Sequence, residues 1–198
     1  MELSNSIIPI TLVGLFTYLL AAIPFGLIFG KIAGLGDIRN IGSGNIGATN
    51  VLRTGNKKVA ALTLIFDGLK GMAAVLISRH FIPDSEYAFG LLAILAHIFP
   101  IYLKFKGGKG VATALGVYSA WSPILGLAVL FTWILSAKLF KISSLAAIIA
   151  AILAPLFVYL LDIGSVAIVF SALISVILIY THRDNICRLI NKQEPLIS

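Results

Sequence analysis

The sequence predicts an all-α, polytopic integral membrane protein, a bundle of seven transmembrane helices with its N-terminus outside and its C-terminus in the cytoplasm. Three observations carry that prediction. Hydrophobic residues make up 59% of the 198 positions and charged residues only 12%, against about half and about a quarter in soluble domains. Long apolar runs recur along the chain, and the basic residues between them are plentiful in every second connection. The composition excludes a water-soluble globular domain, and it excludes disorder, because disordered chains are polar and charge-rich. The net charge of +7 invites a nucleic-acid reading, but membrane proteins also gather basic residues on one side for reasons of topology.

The first run, Ile7–Gly30, is long enough to cross a bilayer. It lacks a basic leader, and it exceeds the about 7–15 apolar residues of a signal-peptide core, so it reads as a retained span. Val59–Ser78 and Tyr87–Leu103 follow as the second and third. Val111–Trp121 is short, about 17 Å as a helix against a hydrocarbon core of roughly 30 Å. Ile124–Ala137, Ser143–Leu161 and Ile163–Thr181 complete the set. Fusing Val111–Trp121 with Ile124–Ala137 gives six spans, but Ser122-Pro123 argues for a break, since proline disfavours helix in the residue before it.

The charges arbitrate between six and seven. Lys31, Arg39, Arg53, Lys57 and Lys58 lie in the first connection, Lys104, Lys106 and Lys109 in the third, Lys138 and Lys141 in the fifth, and Arg183, Arg188 and Lys192 in the tail. The N-terminus and the even connections hold Arg79 with Glu2, Asp84, Glu86 and Asp162. Seven spans place all thirteen of those basic residues on one side, which the positive-inside rule makes the cytoplasm. No repeat or linker divides the chain, so residues 1–198 read as one domain. A single cysteine, Cys187, excludes an intrachain disulfide, and no Cys/His cluster suggests zinc or an iron–sulfur centre.

The polar residues collect in strings at that same side. Gly42-Ser43-Gly44-Asn45-Ile46-Gly47-Ala48-Thr49-Asn50 offers close backbone approach and side-chain donors, followed by Arg53, Lys57 and Lys58. Such a string can cradle an anion. It also fits the dinucleotide-binding glycine pattern, but no strand precedes it, and that reading is rejected. Asp67 and Lys70 sit within the second span, roughly 12 Å deep by helical rise. Three residues apart, they share a helix face. They read either as a self-neutralising structural pair or as an anion-binding lysine held by its aspartate. His97 lies at the same level, followed by Pro100. Lys106-Gly107-Gly108-Lys109-Gly110 fails the P-loop pattern, which needs Ser or Thr after the lysine, yet it can present glycine amides and two ammonium groups. Ser143 or Ser144 can cap the helix that follows. His182, Asn185 and Arg188 or Leu189 fall at helical spacing, so a polar face there turns either back to the bundle or out to solvent. Scattered acids make a two-metal carboxylate site a poor fit. Phosphate binding at the inner face suits the inventory best.

The strings GSGNIGATNVLR (42–53), DGLKG (67–71), HIFP (97–100), FKGGKGVATALG (105–116) and HRDNICRL (182–189) together resemble the bacterial acyl-phosphate:glycerol-3-phosphate acyltransferase family, PlsY, in order and spacing. Lys192 stands where the family pattern usually has a glycine two residues before its glutamate, here Glu194. The resemblance implies transfer of a fatty acyl group from acyl phosphate to the 1-hydroxyl of sn-glycerol 3-phosphate, giving lysophosphatidic acid and inorganic phosphate. It implies catalytic roles for Ser43, Asn45, Lys70, His97, His182 and Asn185. Substrate binding would fall to Gly42, Gly44, Gly47, Thr49, Asn50, Arg53, Lys106, Gly107, Gly108, Lys109, Ser143 and Arg183. No metal or cofactor is implied. The partners are the two substrates and membrane lipid, with no nucleic acid, and the protein is expected to work as a monomer in the bacterial inner membrane with its site facing the cytoplasm. Two rivals fit less well. An organophosphate transporter wants inverted repeats and a midplane site, and a CDP-alcohol phosphotransferase wants further spaced aspartates after Asp67-Gly68.

Overall fold

The structure, a computed structural model, describes residues 2–197. Met1 and Ser198, the ends of the predicted domain, lie outside the described residues. Ten α-helices run in order among those residues: α1 Glu2–Ala21, α2 Phe25–Ile32, α3 Ala48–Leu52, α4 Lys57–Phe81, α5 Glu86–Ile98, α6 Val111–Trp121, α7 Pro123–Phe140, α8 Ser143–Leu160, α9 Ser165–Thr181 and α10 Arg183–Ile190. Four segments are long and apolar enough to cross a membrane, and six if each of two bent pairs counts as one span. The protein is therefore an all-helical integral membrane bundle, with α6 as a further short apolar helix.

The bent pairs refine the expected elements. The run 7–30 is not one straight helix: α1 and α2 meet at 41° across a three-residue gap. Pro24 sits at the start of α2 and lacks the N–H that would continue the ladder. The Leu20 carbonyl that Pro24 leaves without its i+4 donor takes the Ile23 N–H at 3.3 Å, and the Ile23 carbonyl in the gap accepts the Phe25 N–H at 3.2 Å and the Lys70 ammonium at 2.8 Å. Non-helical backbone at membrane depth requires such a replacement partner. At the other end of the chain, α9 and α10 meet at 60° around His182.

The break at Ser122-Pro123 is as the proline predicts. Ser122 is extended (φ −155°, ψ 127°), and Pro123 opens α7, where a missing N–H does no harm. Helix α4 is capped at its start by Asn56, whose side chain accepts the Val59 N–H at 3.1 Å, an N-cap of the usual kind.

Helix α4 lies at the centre, and its largest neighbour is α6. A Cβ on Gly71 would overlap the Thr113 carbonyl, and one on Gly116 would overlap the Gly68 carbonyl. Glycine at this seam brings the two backbones together, the packing mode that substitutes for a hydrophobic driving force inside lipid. The same logic runs along α8, whose buried face is Ala146, Ala147, Ala150, Ala151 and Ala154. The core between α5, α6, α7, α8 and α9 is built from Ile94, Val117, Tyr118, Leu125, Val158 and Ile174. Two hydroxyls in it find partners: the Tyr118 hydroxyl meets Ser171 Oγ at 3.2 Å, and Ser175 Oγ donates to the Ala151 carbonyl at 2.5 Å. Outward faces carry Leu12, Phe16, Phe131, Leu139, Leu156 and Val176, all exposed, as a lipid-facing surface requires.

Candidate active site

One cavity of ≈ 430 Å³ collects residues from the first connection, α4, the segment entering α6, α7, the start of α8, and the tail. Its polar wall holds Ser43, Asn45, Gly47, Thr49, Asn50, Arg53, Lys57, Asp67, His97, Lys109, Ser143, Ser144, His182, Asn185 and Glu194, and its apolar wall includes Leu64, Leu115, Val129, Leu130 and Trp133. A polar end joined to an oily slot suits a ligand with a charged head and a hydrocarbon chain.

The Gly42–Asn50 loop is braced from within. Asn50 is buried, its Oδ1 accepts the Ser43 N–H at 3.0 Å, and its Nδ2 donates to the Ile38 carbonyl at 2.7 Å. Gly42 has φ +55°, and a Cβ there would sit 2.7 Å from Asn50 Oδ1 and from Arg53 Cδ. Both the left-handed backbone and the crowding demand glycine. Thr49 Oγ1 lies 3.0 Å from Ser143 Oγ, tying this loop to α8, while Ser144 Oγ donates to Glu194 Oε1 at 2.7 Å. The two serines, indistinguishable in the sequence, thus take separate partners.

The glycine-rich loop before α6 departs from expectation. The Gly107 N–H donates to the Ile98 carbonyl at 2.9 Å and the Gly108 N–H to the His97 carbonyl at 3.1 Å. Those amides satisfy the end of α5 and are not offered to an anion. Lys109 is the loop's contribution to the cavity: its ammonium donates to Asn185 Oδ1. Burial pulls that ammonium down to about 8, against the opposing pull of the Glu194 carboxylate. Lys106, by contrast, is exposed and outside the cavity lining.

Helix α10 turns its polar face inward. Asn185 is buried and donates to Glu194 Oε1 at 2.5 Å, and Arg188 Nε donates to Glu194 Oε2 at 2.7 Å. Burial alone would raise the Glu194 carboxyl, but hydrogen bonds from Ser144, Asn185 and Arg188 outweigh it and hold it below its usual value. His182 is buried, with Nδ1 2.7 Å from the Leu178 carbonyl. A carbonyl only accepts, so Nδ1 carries the proton and Nε2 keeps a lone pair.

Not every expected residue reaches the cavity. Gly42, Gly44, Gly107, Gly108, Lys70, Lys106 and Arg183 do not line it. Lys70 is buried and engaged with Asp67 Oδ1 at 2.7 Å and with Ile23. Arg183 is exposed, stacked 4.9 Å over the Tyr180 ring. Conversely, Glu194, Ser144, Lys57 and Asp67 line the cavity, and Glu194 in particular escaped sequence reasoning. The sequence marked it only as the glutamate of the family pattern, without a role, and as one of two acids in a basic tail. Among the described residues, no three His, Cys, Asp or Glu side chains converge as a metal-binding group.

Comparison with known proteins adds independent findings. Residues 11–192 match the family described as Glycerol-3-phosphate acyltransferase. The chain is similar to a glycerol-3-phosphate acyltransferase of Brucella anthropi, 52% identical over 95% of this chain and 94% of the relative. It is also similar to one of Mesorhizobium japonicum, 54% identical over 92% and 93%. Its fold resembles the crystal structure of PlsY (YgiH), an integral membrane glycerol 3-phosphate acyltransferase, in its glycerol 3-phosphate form, with a TM-score of 0.89 and 38% identity over 95% of both chains. The lysophosphatidic acid form of that protein superposes with a TM-score of 0.87.

Proposed function

The chain belongs to the glycerol-3-phosphate acyltransferase family, and from that premise we propose that it transfers a fatty acyl group from acyl phosphate to the 1-hydroxyl of sn-glycerol 3-phosphate. The products are lysophosphatidic acid and inorganic phosphate. The single observation behind this reading is the cavity, where cations and hydroxyl donors from three connections meet an apolar slot between α4, α6 and α7. The glycerol 3-phosphate and lysophosphatidic acid forms of the similar crystal structure support the acceptor and the product.

The chemistry follows from the donors present. The 1-hydroxyl oxygen attacks the acyl carbonyl carbon, the bond from that carbon to the phosphate oxygen breaks, and phosphate leaves with the electron pair. Ser43, Asn45 and Thr49 supply donors for the leaving phosphate, and Arg53 and Lys109 supply positive charge in a site partly shielded from water, where such charge counts for more. Acyl phosphate already carries a good leaving group, so no covalent enzyme intermediate is required.

His182 Nε2 and Asn185 orient the glycerol moiety. The proton of the attacking hydroxyl passes to the acceptor substrate's own phosphate, whose second pKa of about 6 suits it to the task. The surroundings of His97 favour this assignment over that residue, because its Nδ1 faces Asp67 Oδ1 at 3.7 Å and a Cβ on Gly108 would overlap its Nε2. Replacing His97 and His182 singly by Gln tests the point. Loss of all turnover in each, with glycerol 3-phosphate still bound, would overturn it.

In this reading residues 1–198 are one acyltransferase domain, working as a monomer in the bacterial inner membrane. α6 is the short fourth of seven spans, the N-terminus lies outside, and the cavity opens to the cytoplasm. The clustering of basic connections around the cavity supports that orientation. The deciding experiment is purified protein in lipid with acyl phosphate and glycerol 3-phosphate. Phosphate release that needs both substrates, is matched by lysophosphatidic acid, and persists in EDTA is the expected result. No release with both substrates present would sink the proposal.

A further inference from the structure

Three ionisable side chains lie in series between the α1–α2 gap and the Lys109 loop: Lys70 is paired with Asp67, and His97 lies beside Asp67. Lys70 and Asp67, one turn apart on α4, pair at 2.7 Å with side chains only 2% and 3% exposed. On one side, Lys70 Nζ donates to the Ile23 carbonyl at 2.8 Å, in the gap between α1 and α2. Two residues after Pro24 comes Gly26, where a Cβ would overlap the Ile46 carbonyl. The backbone of the first polar loop therefore rests directly on α2. On the other side, His97 Nδ1 packs 3.7 Å from Asp67 Oδ1, a contact longer than a hydrogen bond. The His97 ring lies beneath Gly108, where a Cβ would overlap Nε2, and the His97 carbonyl accepts the Gly108 N–H at 3.1 Å. The next residue is Lys109, which enters the cavity.

We propose that Lys70, Asp67 and His97 are a positioning network that fixes the separation of the Gly42–Asn50 loop from the Lys109 loop, with Lys70 acting through it and not by touching substrate. The physical reason is the environment. A charge this deep is expensive unless paired, and a broken helix leaves carbonyls that need donors. One lysine answers both needs, and in doing so it couples the tilt of α2 to the position of His97. Two phosphates must be held at a set spacing for acyl transfer, and a small error in that spacing is costly in rate.

The kinetic part of the test rests on the acyl-transfer reading, whereas the distance part does not. Spin labels at Asn40→Cys and Lys106→Cys, both exposed positions, in a Cys187→Ser background report the separation of the loops. The parent should give one narrow distance distribution. Lys70→Met should shift or broaden it, lowering kcat about a hundredfold while KM for glycerol 3-phosphate changes less than about threefold. Adding Asp67→Asn removes the stranded carboxylate and should restore at least about tenfold of the lost kcat. Gly108→Ala perturbs the network from the loop side without altering any charge, and it should broaden the distribution too. If Lys70→Met fails to fold, Gly108→Ala alone decides. Unchanged distances in these variants overturn the proposal, as does a rise of more than about tenfold in KM for glycerol 3-phosphate with kcat preserved. A parent protein that transfers no acyl group, but whose distances respond as described, would refute the acyl-transfer reading and leave the network standing.

Discussion

Lys109 is where pH should act first. Burial holds its ammonium down to about 8, so the charge is present below that value and lost above it. Affinity for glycerol 3-phosphate should therefore fall as pH rises through about 8, and Lys109→Met should flatten that limb. The same substitution removes a charge-assisted contact of about 1.5–3 kcal/mol, roughly 10- to 100-fold in affinity at neutral pH; titration calorimetry across pH 6–9 reads both effects. Glu194 should be less tolerant than its place in the tail suggests. Glu194→Gln cannot accept the bonds from Ser144, Asn185 and Arg188 together, and it leaves Lys109 without its counter-charge. We expect at least about tenfold loss of kcat/KM, consistent with one or more charged hydrogen bonds at roughly 1.5–3 kcal/mol each. Arg183, stacked on Tyr180 and exposed, should give the contrary result. Arg183→Ala should stay within about threefold of the parent in steady-state rate, as surface changes usually do.

At the scale of elements, the glycine seam between α4 and α6 sets how deep the short helix sits. Gly71→Val would drive a side chain into the Thr113 backbone. Overpacking of this kind typically destabilises by about 1–3 kcal/mol, and thermal unfolding in detergent should show it as a lowered midpoint. The helices themselves were legible, because apolar runs and Ser122-Pro123 announce them whatever they pack against. The α1–α2 break was masked, since hydropathy runs unbroken across Ile23 and Pro24 alone marks it, while the Phe25 N–H and the distant Lys70 together satisfy the Ile23 carbonyl. The polar strings were equally conspicuous against an apolar background. What they do was harder to read: the Gly107 and Gly108 amides look free in sequence but are taken by α5 carbonyls, and Lys70, legible either as an anion ligand or as half of a buried pair, is paired with Asp67 and donates to the Ile23 carbonyl. Composition reports which donors exist, and only packing decides which acceptors reach them.

For the whole molecule, the orientation proposed above has a direct check. Cys187 is exposed on α10, the helix that carries Asn185 to the cavity, so it reports the face on which α10 lies. A membrane-impermeant maleimide should label it in inside-out vesicles and spare it in right-side-out ones. The reverse pattern would place the site on the outer face. The tail carries one more consequence. Glu194 grips Ser144, Asn185 and Arg188, and the Ile197 N–H donates to the Lys141 carbonyl at 2.7 Å, so this last stretch clasps the turn between α7 and α8. During synthesis every helix emerges before that clasp does. A nascent chain can thus be fully inserted, with both polar loops in place, and still have no finished pocket. The pocket wall is therefore completed last, when residues 194–197 reach the turn they fasten.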